Sequence, residues 1–120
     1  MLNKSIFLQF AIQTAKEAGR IQMKYFGNIS SLEKKSNNID LLTNADIESE
    51  KHIVTQIKFS FPDHSIVTEE NKTITKDSDY TWIIDPLDGT TNFAHNLPIF
   101  AVSIALKKND KIISGVVYNP

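Results

Sequence analysis

Two carboxylates three residues apart, Asp85 and Asp88, stand directly before Gly89, Thr90, Thr91 and Asn92, at the end of the apolar run Trp82-Ile83-Ile84. Carboxylates at the end of a buried strand can hold hard cations, and backbone N–H groups at a glycine-started helix can hold an anion. A cation site beside a phosphate site is the arrangement that phosphate-ester hydrolysis requires. The uncatalysed reaction is so slow that the rate gap can reach about 10²¹-fold. Closing it takes charge neutralisation on the phosphoryl oxygens, an activated water and a stabilised leaving alkoxide. Two cations about 3.5–4 Å apart can supply all three. Asp85 and Asp88 flank a Pro-Leu pair and can point at one centre. Pro86 fixes the local backbone angle, leaving the Leu87 carbonyl free to face a metal. Read alone, Asp-Pro-Leu-Asp-Gly signals a turn more readily than a metal site.

Several elements must position these residues. Apolar or small side chains at Phe7, Phe10, Ala11, Thr14, Ala15, Ala18, Ile21, Gln22 and Tyr25 keep a helical rhythm with two polar intrusions. They predict an amphipathic helix from Ser5 to Phe26, ended by Gly27-Asn28. Residues 28–40, rich in Ser, Asn and Lys, read as a mobile loop or weak hairpin. Thr43-Asn44-Ala45-Asp46 has the pattern of a capping box, with Thr43 as N-cap and Asp46 at the third helical position. That helix carries an apolar face through Ile47, Ile53, Val54 and Ile57 and ends at Pro62. Thr81 to Ile84 and Ser65 to Thr68 read as short strands separated by a surface loop over 70–80. Residues 99–106 and 111–118 read as longer strands joined by a Lys-Lys-Asn-Asp hairpin turn. Two helices followed by strands, with a short helix at the glycine turn, define an α+β class. Trp82, Phe93 and Phe100 read as core.

Composition narrows the function. The chain has 120 residues, a formal net charge of −1 and 22% charged residues. It fits one domain of ordinary globular make-up and gives no electrostatic signal for direct nucleic-acid binding. The absence of cysteine excludes a disulfide framework and thiolate metal ligands, and is compatible with a cytoplasmic location. No apolar run approaches the roughly 20 residues of a membrane helix, and the N-terminus lacks a signal-peptide pattern. His52, His64 and His95 have no mutual metal-ligand spacing.

The run Trp82 to Leu106 closely resembles the signature of the inositol monophosphatase family. Two upstream segments carry the same resemblance: Asp40-Leu41-Leu42-Thr43-Asn44-Ala45-Asp46, similar to D-L-V-T-x-x-D, and Ser65-Ile66-Val67-Thr68-Glu69-Glu70, similar to S-x-[IV]-G-E-E. The likeness runs from about residue 5 to 120. Thr90-Thr91-Asn92-Phe93 fits this branch better than the Ser-Ser of sugar bisphosphatases or the Thr-Lys-Gly of 3′-phosphoadenosine phosphatases. Among its members the bacterial SuhB-like ones are the nearest in pattern.

The resemblance implies a Mg²⁺-dependent phosphomonoesterase, with Mn²⁺ as a substitute ion, acting on inositol monophosphate or a related small phosphate monoester. It implies Glu69, Asp85 and the Leu87 carbonyl at a first metal, and Asp85 with Asp88 at a second. Asp88, Gly89 and Thr90 would hold the substrate phosphate. Asp46, Thr90 and Glu69 would be catalytic, Thr90 and Asp46 orienting the attacking water. Lys35 matches a family lysine near a third, weak metal but reads better as a solvated loop residue. Thr68 and Asn96 stand where the family usually has glycine, and Thr68 is expected to crowd Glu69.

The family's W-D-x-A-A-G segment, whose aspartate completes the second metal site, has no counterpart here. Residues 1–120 are therefore expected to be the N-terminal portion of the layered αβαβα fold, two long helices on a largely antiparallel sheet, slow as an enzyme alone. A homodimer or a complementary C-terminal half is the expected partner. The alternative is a non-catalytic binding or assembly module, or a remnant, since some SuhB-like proteins associate with the transcription machinery.

Overall fold

A stripe of small side chains explains how the first helix meets the sheet. Along α1 (Lys4–Phe26), Phe7, Ala11, Ala15 and Ala18 recur at helical spacing and are all buried. The helix starts within one residue of its expected position. Gly19 continues the approach: a Cβ there would lie 2.7 Å from the Tyr118 ring, so any larger residue would force that ring to move. The computed structural model describes residues 4–26, 35–68, 73–95 and 97–120, with side chains from residue 44 onward in the second stretch.

The second helix, α2 (Lys35–Ser60), departs from expectation. Residues 35–40 are helical rather than loop or hairpin, while 28–34 lie outside the described residues. Thr43 is consequently inside the helix and does not cap it, and Asp46 is not in a first turn. Ser36, Asn37 and Asn38 are weak helix formers, which is why the sequence reads as broken there. In the helix interior the preceding turn supplies carbonyl acceptors, so no cap is needed. The buried face also differs. Ala45, Ser49, Ile53 and Ile57, each four residues on from the last, are buried, whereas Ile47 is 57% exposed. Val54 is partly buried against the core. The helix ends two residues before Pro62, as expected.

Five strands follow: β1 (Ser65–Thr68), β2 (Thr73–Ile74), β3 (Tyr80–Asp88), β4 (Ala101–Lys108) and β5 (Lys111–Tyr118), with the short α3 (Thr90–Ala94) between β3 and β4. β2 lies in the stretch expected to be loop. Its pairing with β1, Ile66 opposite Ile74 and Val67 opposite Thr73, supplies the partner its short sequence does not advertise. The hairpin is shifted from 99–106 to 101–108 and turns at Asn109, whose left-handed φ of 53° suits asparagine.

The sheet order is β2-β1-β3-β4-β5, antiparallel except for the parallel pair β1 and β3. This is the expected α+β class. Trp82, Ile84, Val102, Ile104 and Leu106 alternate onto one face and pack with the α1 and α2 stripes in the main core. A second cluster, Ala45, Leu87, Phe93 and Phe100 with Tyr25 and Phe26 against it, lies where β3 meets α3. Trp82, Phe93 and Phe100 are thus core residues.

Candidate active site

β3 delivers the two aspartates, and it runs further than its apolar core predicts. Asp85, Pro86, Leu87 and Asp88 belong to the strand rather than to a turn. Asp85 pairs with Ser103 and Asp88 with Ala101, so β3 gains a residue on β4 and bulges between the two acids. The bulge is where Pro86, which has no N–H to give a ladder, can be tolerated. It also separates the two carboxylates by environment. Asp85 is half-buried and Asp88 is exposed. The Leu87 N–H donates to Asp85 Oδ1 at 3.3 Å, holding that carboxylate against its own strand.

Gly89 then turns the chain. Its φ of 90° is left-handed, and a Cβ would lie 2.8 Å from the Ile99 carbonyl. No side chain caps α3, so its first N–H groups have no acceptor within the helix. The Gly89 carbonyl accepts from Phe93 N–H at 3.0 Å. Asn92 closes the return loop by donating from Nδ2 to the Ile99 carbonyl at 2.9 Å. The resulting open groove, about 330 Å³, is lined by Asp88, Gly89, Asn92, Phe100, Val117 and Asn119.

The other candidate residues fall around this turn. Thr90 opens α3, and α2 packs against α3, bringing the segment that carries Asp46 to the same end of the sheet. Ala45, beside Asp46, shares a buried cluster with Leu87 and Phe93. Asp46 makes interactions of its own. Glu69 lies outside the described residues, as do Glu70, Asn96 and the side chain of Lys35. β1 reaches the site end, because its last residue, Thr68, pairs with Ile84, just before Asp85. Thr68 is buried on the helix side with Ile84, whereas Asp85 alternates to the other face. The extra side chain at 68 therefore packs into the protein, away from the Asp85 side of the sheet.

Among the described residues no three His, Cys, Asp or Glu side chains gather closely enough to hold a metal. The donors that β3 does bring to one bulge, two carboxylates and the Leu87 carbonyl, are all oxygen. That set fits a hard divalent cation such as Mg²⁺ or Mn²⁺ and not a soft one. The histidines are used elsewhere. His52 Nε2 lies 2.8 Å from Glu17 Oε1, and His95 Nδ1 lies 2.8 Å from the Thr91 carbonyl. His64 Nδ1 accepts from Trp82 Nε1 at 3.0 Å.

One residue at the site went unread in the sequence. Gln22 of α1 is fully buried and donates from Nε2 to the Pro86 carbonyl, inside the bulge. The only signal for it was a polar residue interrupting the buried stripe of α1.

An acidic bulge opening through a left-handed glycine onto an uncapped helix, on a mixed sheet backed by two helices, defines the α+β class of this protein. The chain belongs to the inositol monophosphatase family, whose model matches residues 3–120. It is 46% identical over 115 residues to Nus factor SuhB of Haemophilus influenzae, covering 94% of this chain and 43% of that protein. It is 40% identical over 113 residues to the fructose-1,6-bisphosphatase/inositol-1-monophosphatase of Thermotoga maritima, covering 94% and 43%. Among solved structures, the extragenic suppressor protein SuhB of Bartonella henselae superposes with a TM-score of 0.84 at 38% identity, covering 96% of this chain and 44% of that one. The chain thus spans less than half the length of the relatives it matches. Among the described residues no helix is long and apolar enough to cross a membrane.

Proposed function

We propose that this chain carries the metal- and phosphate-binding part of a Mg²⁺-dependent phosphomonoesterase acting on inositol monophosphate or a related small phosphate monoester. The observation that carries this reading is the β3 bulge, which puts Asp85, Leu87 and Asp88 directly ahead of Gly89 and the uncapped start of α3. Family membership over residues 3–120 supports it.

Asp85, Asp88 and the Leu87 carbonyl would hold the cation side, and Glu69 is added to them by the family resemblance alone. A divalent cation held there would acidify a bound water and neutralise phosphoryl charge. Asp88 and the N–H groups of Gly89 and Thr90 hold the phosphate oxygens. The Thr90 hydroxyl and the Asp46 carboxylate accept hydrogen bonds from the attacking water and fix its direction. The groove lined by Asn92, Phe100 and Asn119 lies beside the phosphate.

The experiment is a calorimetric titration of the chain with Mn²⁺ and Mg²⁺. Binding is expected in the wild type and at least about 10-fold weaker in Asp85→Asn, a loss of roughly 1.4 kcal/mol. Equal uptake by both proteins removes the assignment. Release of phosphate from inositol 1-phosphate is the second measurement, with a complete family member as the reference.

A second reading rests on the relatives named Nus factor SuhB at 46–47% identity. The chain would then act as an assembly module associated with the transcription machinery. Asp85→Asn separates the two readings: it abolishes a metal-dependent hydrolysis and leaves assembly intact.

A further inference from the structure

The buried stripe of α1, Phe7, Ala11, Ala15 and Ala18, leads to Gln22, which is 0% exposed. Packing alone would favour a methionine or leucine there, because a buried amide must find hydrogen-bond partners. Gln22 finds one and, among the described residues, lacks the other. Its Nε2 donates to the Pro86 carbonyl, while its Oε1 is buried with no partner among the described residues. The reverse amide orientation would set oxygen against oxygen, so the single bond fixes which way the group points.

The accepting carbonyl is the informative part. The oxygen of Pro86 and the N–H of Leu87 belong to one peptide unit, which is planar and stiff. Gln22 holds the oxygen of that unit from the helix side. The N–H at its other end donates to Asp85 Oδ1 at 3.3 Å. This unit also lies within the bulge, where the regular β3–β4 register is interrupted between Asp85 and Asp88. The backbone there depends on side chains for what the strand ladder supplies elsewhere.

We propose that Gln22 is a positioning residue for the candidate active site: it clamps the Pro86–Leu87 peptide and thereby sets the direction of the Asp85 carboxylate. Its consequence for cation binding rests on the metal-dependent reading above. The clamp itself is a property of the chain without metal.

The test compares the full chain with Gln22→Met, which keeps the length of the side chain and removes the amide, and with Gln22→Leu should methionine disturb packing. In the metal-free proteins, hydrogen exchange at the Leu87 amide is followed by NMR. It is expected to be protected in the wild type and at least about 10-fold faster in the variants, while amides of β4 keep their protection. Mn²⁺ affinity is then expected to fall about 10-fold, as for other groups that orient metal ligands, with no fall in thermal stability. A Leu87 amide already unprotected in the wild type overturns the clamp without any variant. Unchanged Leu87 exchange in both variants overturns it too. Faster exchange with unchanged Mn²⁺ affinity overturns the positioning of Asp85. If the wild type and Asp85→Asn take up Mn²⁺ equally, the metal reading fails, and the exchange rate still decides the clamp.

Discussion

Gly89 meets two demands at once, a left-handed backbone and the approach of the Ile99 carbonyl to within 2.8 Å of where a Cβ would stand. Gly89→Ala is expected to destabilise the chain by about 1–3 kcal/mol, towards the upper end because strain and contact add, as read from the urea midpoint. His64 supplies a pH dependence. Its ring stacks between Phe61 and Tyr80, at 4.9 and 4.7 Å, and its Nδ1 accepts from Trp82. Burial pushes its pKa below the ordinary imidazole value, against a weaker upward pull from Asp63. As pH falls, the unfolded imidazole takes its proton first, near pH 6.5. The stabilisation is therefore complete above about pH 6.5 and is lost as pH drops towards the lowered folded value. Thermal midpoints between pH 7.5 and 5 are expected to fall more steeply in the wild type than in His64→Phe, and parallel slopes would contradict this. At this scale the acidic pair ahead of Gly89 was legible because the three residues are neighbours in sequence, but its place in a strand bulge rather than a turn was not. Gln22 was not, because its partner is 64 residues away and becomes visible only once α1 is docked.

Elements were legible where a local pattern decides them and illegible where packing does. α1 and β1 stand within a residue of their expected positions, because stripe and alternation are local signals. The start of α2 was hidden by Ser36, Asn37 and Asn38, and the Thr43 pattern that looked like a cap lies inside the helix. The face of α2 was misjudged in the same way. Ile47 fits an apolar stripe as well as Ile53 does, and only the docked helix shows which of them is covered. Stability separates them. Ile53→Ala is expected to cost about 2–5 kcal/mol, because it leaves a cavity between α2 and the sheet. Ile47→Ala is expected to change stability by less than about 0.5 kcal/mol. Urea unfolding of the two variants checks both, and comparable losses would place the α2 face wrongly.

At the scale of the whole molecule the α+β class was legible from element order, but the parallel β1–β3 pair was not, since nothing local records which strands become neighbours. Among the described residues the finished sheet is covered by helices on one face only. α1 and α2 both pack on the face that carries Trp82, Ile84 and Ile104. The register puts Ile83, Ala105 and Gly115 in one row of the opposite face and Asp85, Ser103 and Val117 in the next, with Ile112 beside Lys107. Of these, Ile83 is 38% exposed, Ile112 53% and Val117 75%. Exposed apolar side chains on one face favour association, and among the described residues β5 adds an unpaired strand edge to it. The isolated chain is therefore expected to self-associate through this face at micromolar concentration. Sedimentation velocity over a dilution series is the measurement. Because the contacts are apolar, added salt is not expected to dissolve the assembly, as it would one held by exposed ion pairs. Replacing Ile112 and Val117 together by lysine, Ile112→Lys with Val117→Lys, puts like charges on the face without touching the core, and is expected to return the chain to monomer with its thermal midpoint little changed. A wild-type chain that stays monomeric across the series and binds no hydrophobic dye would mean that this face is stable in water uncovered.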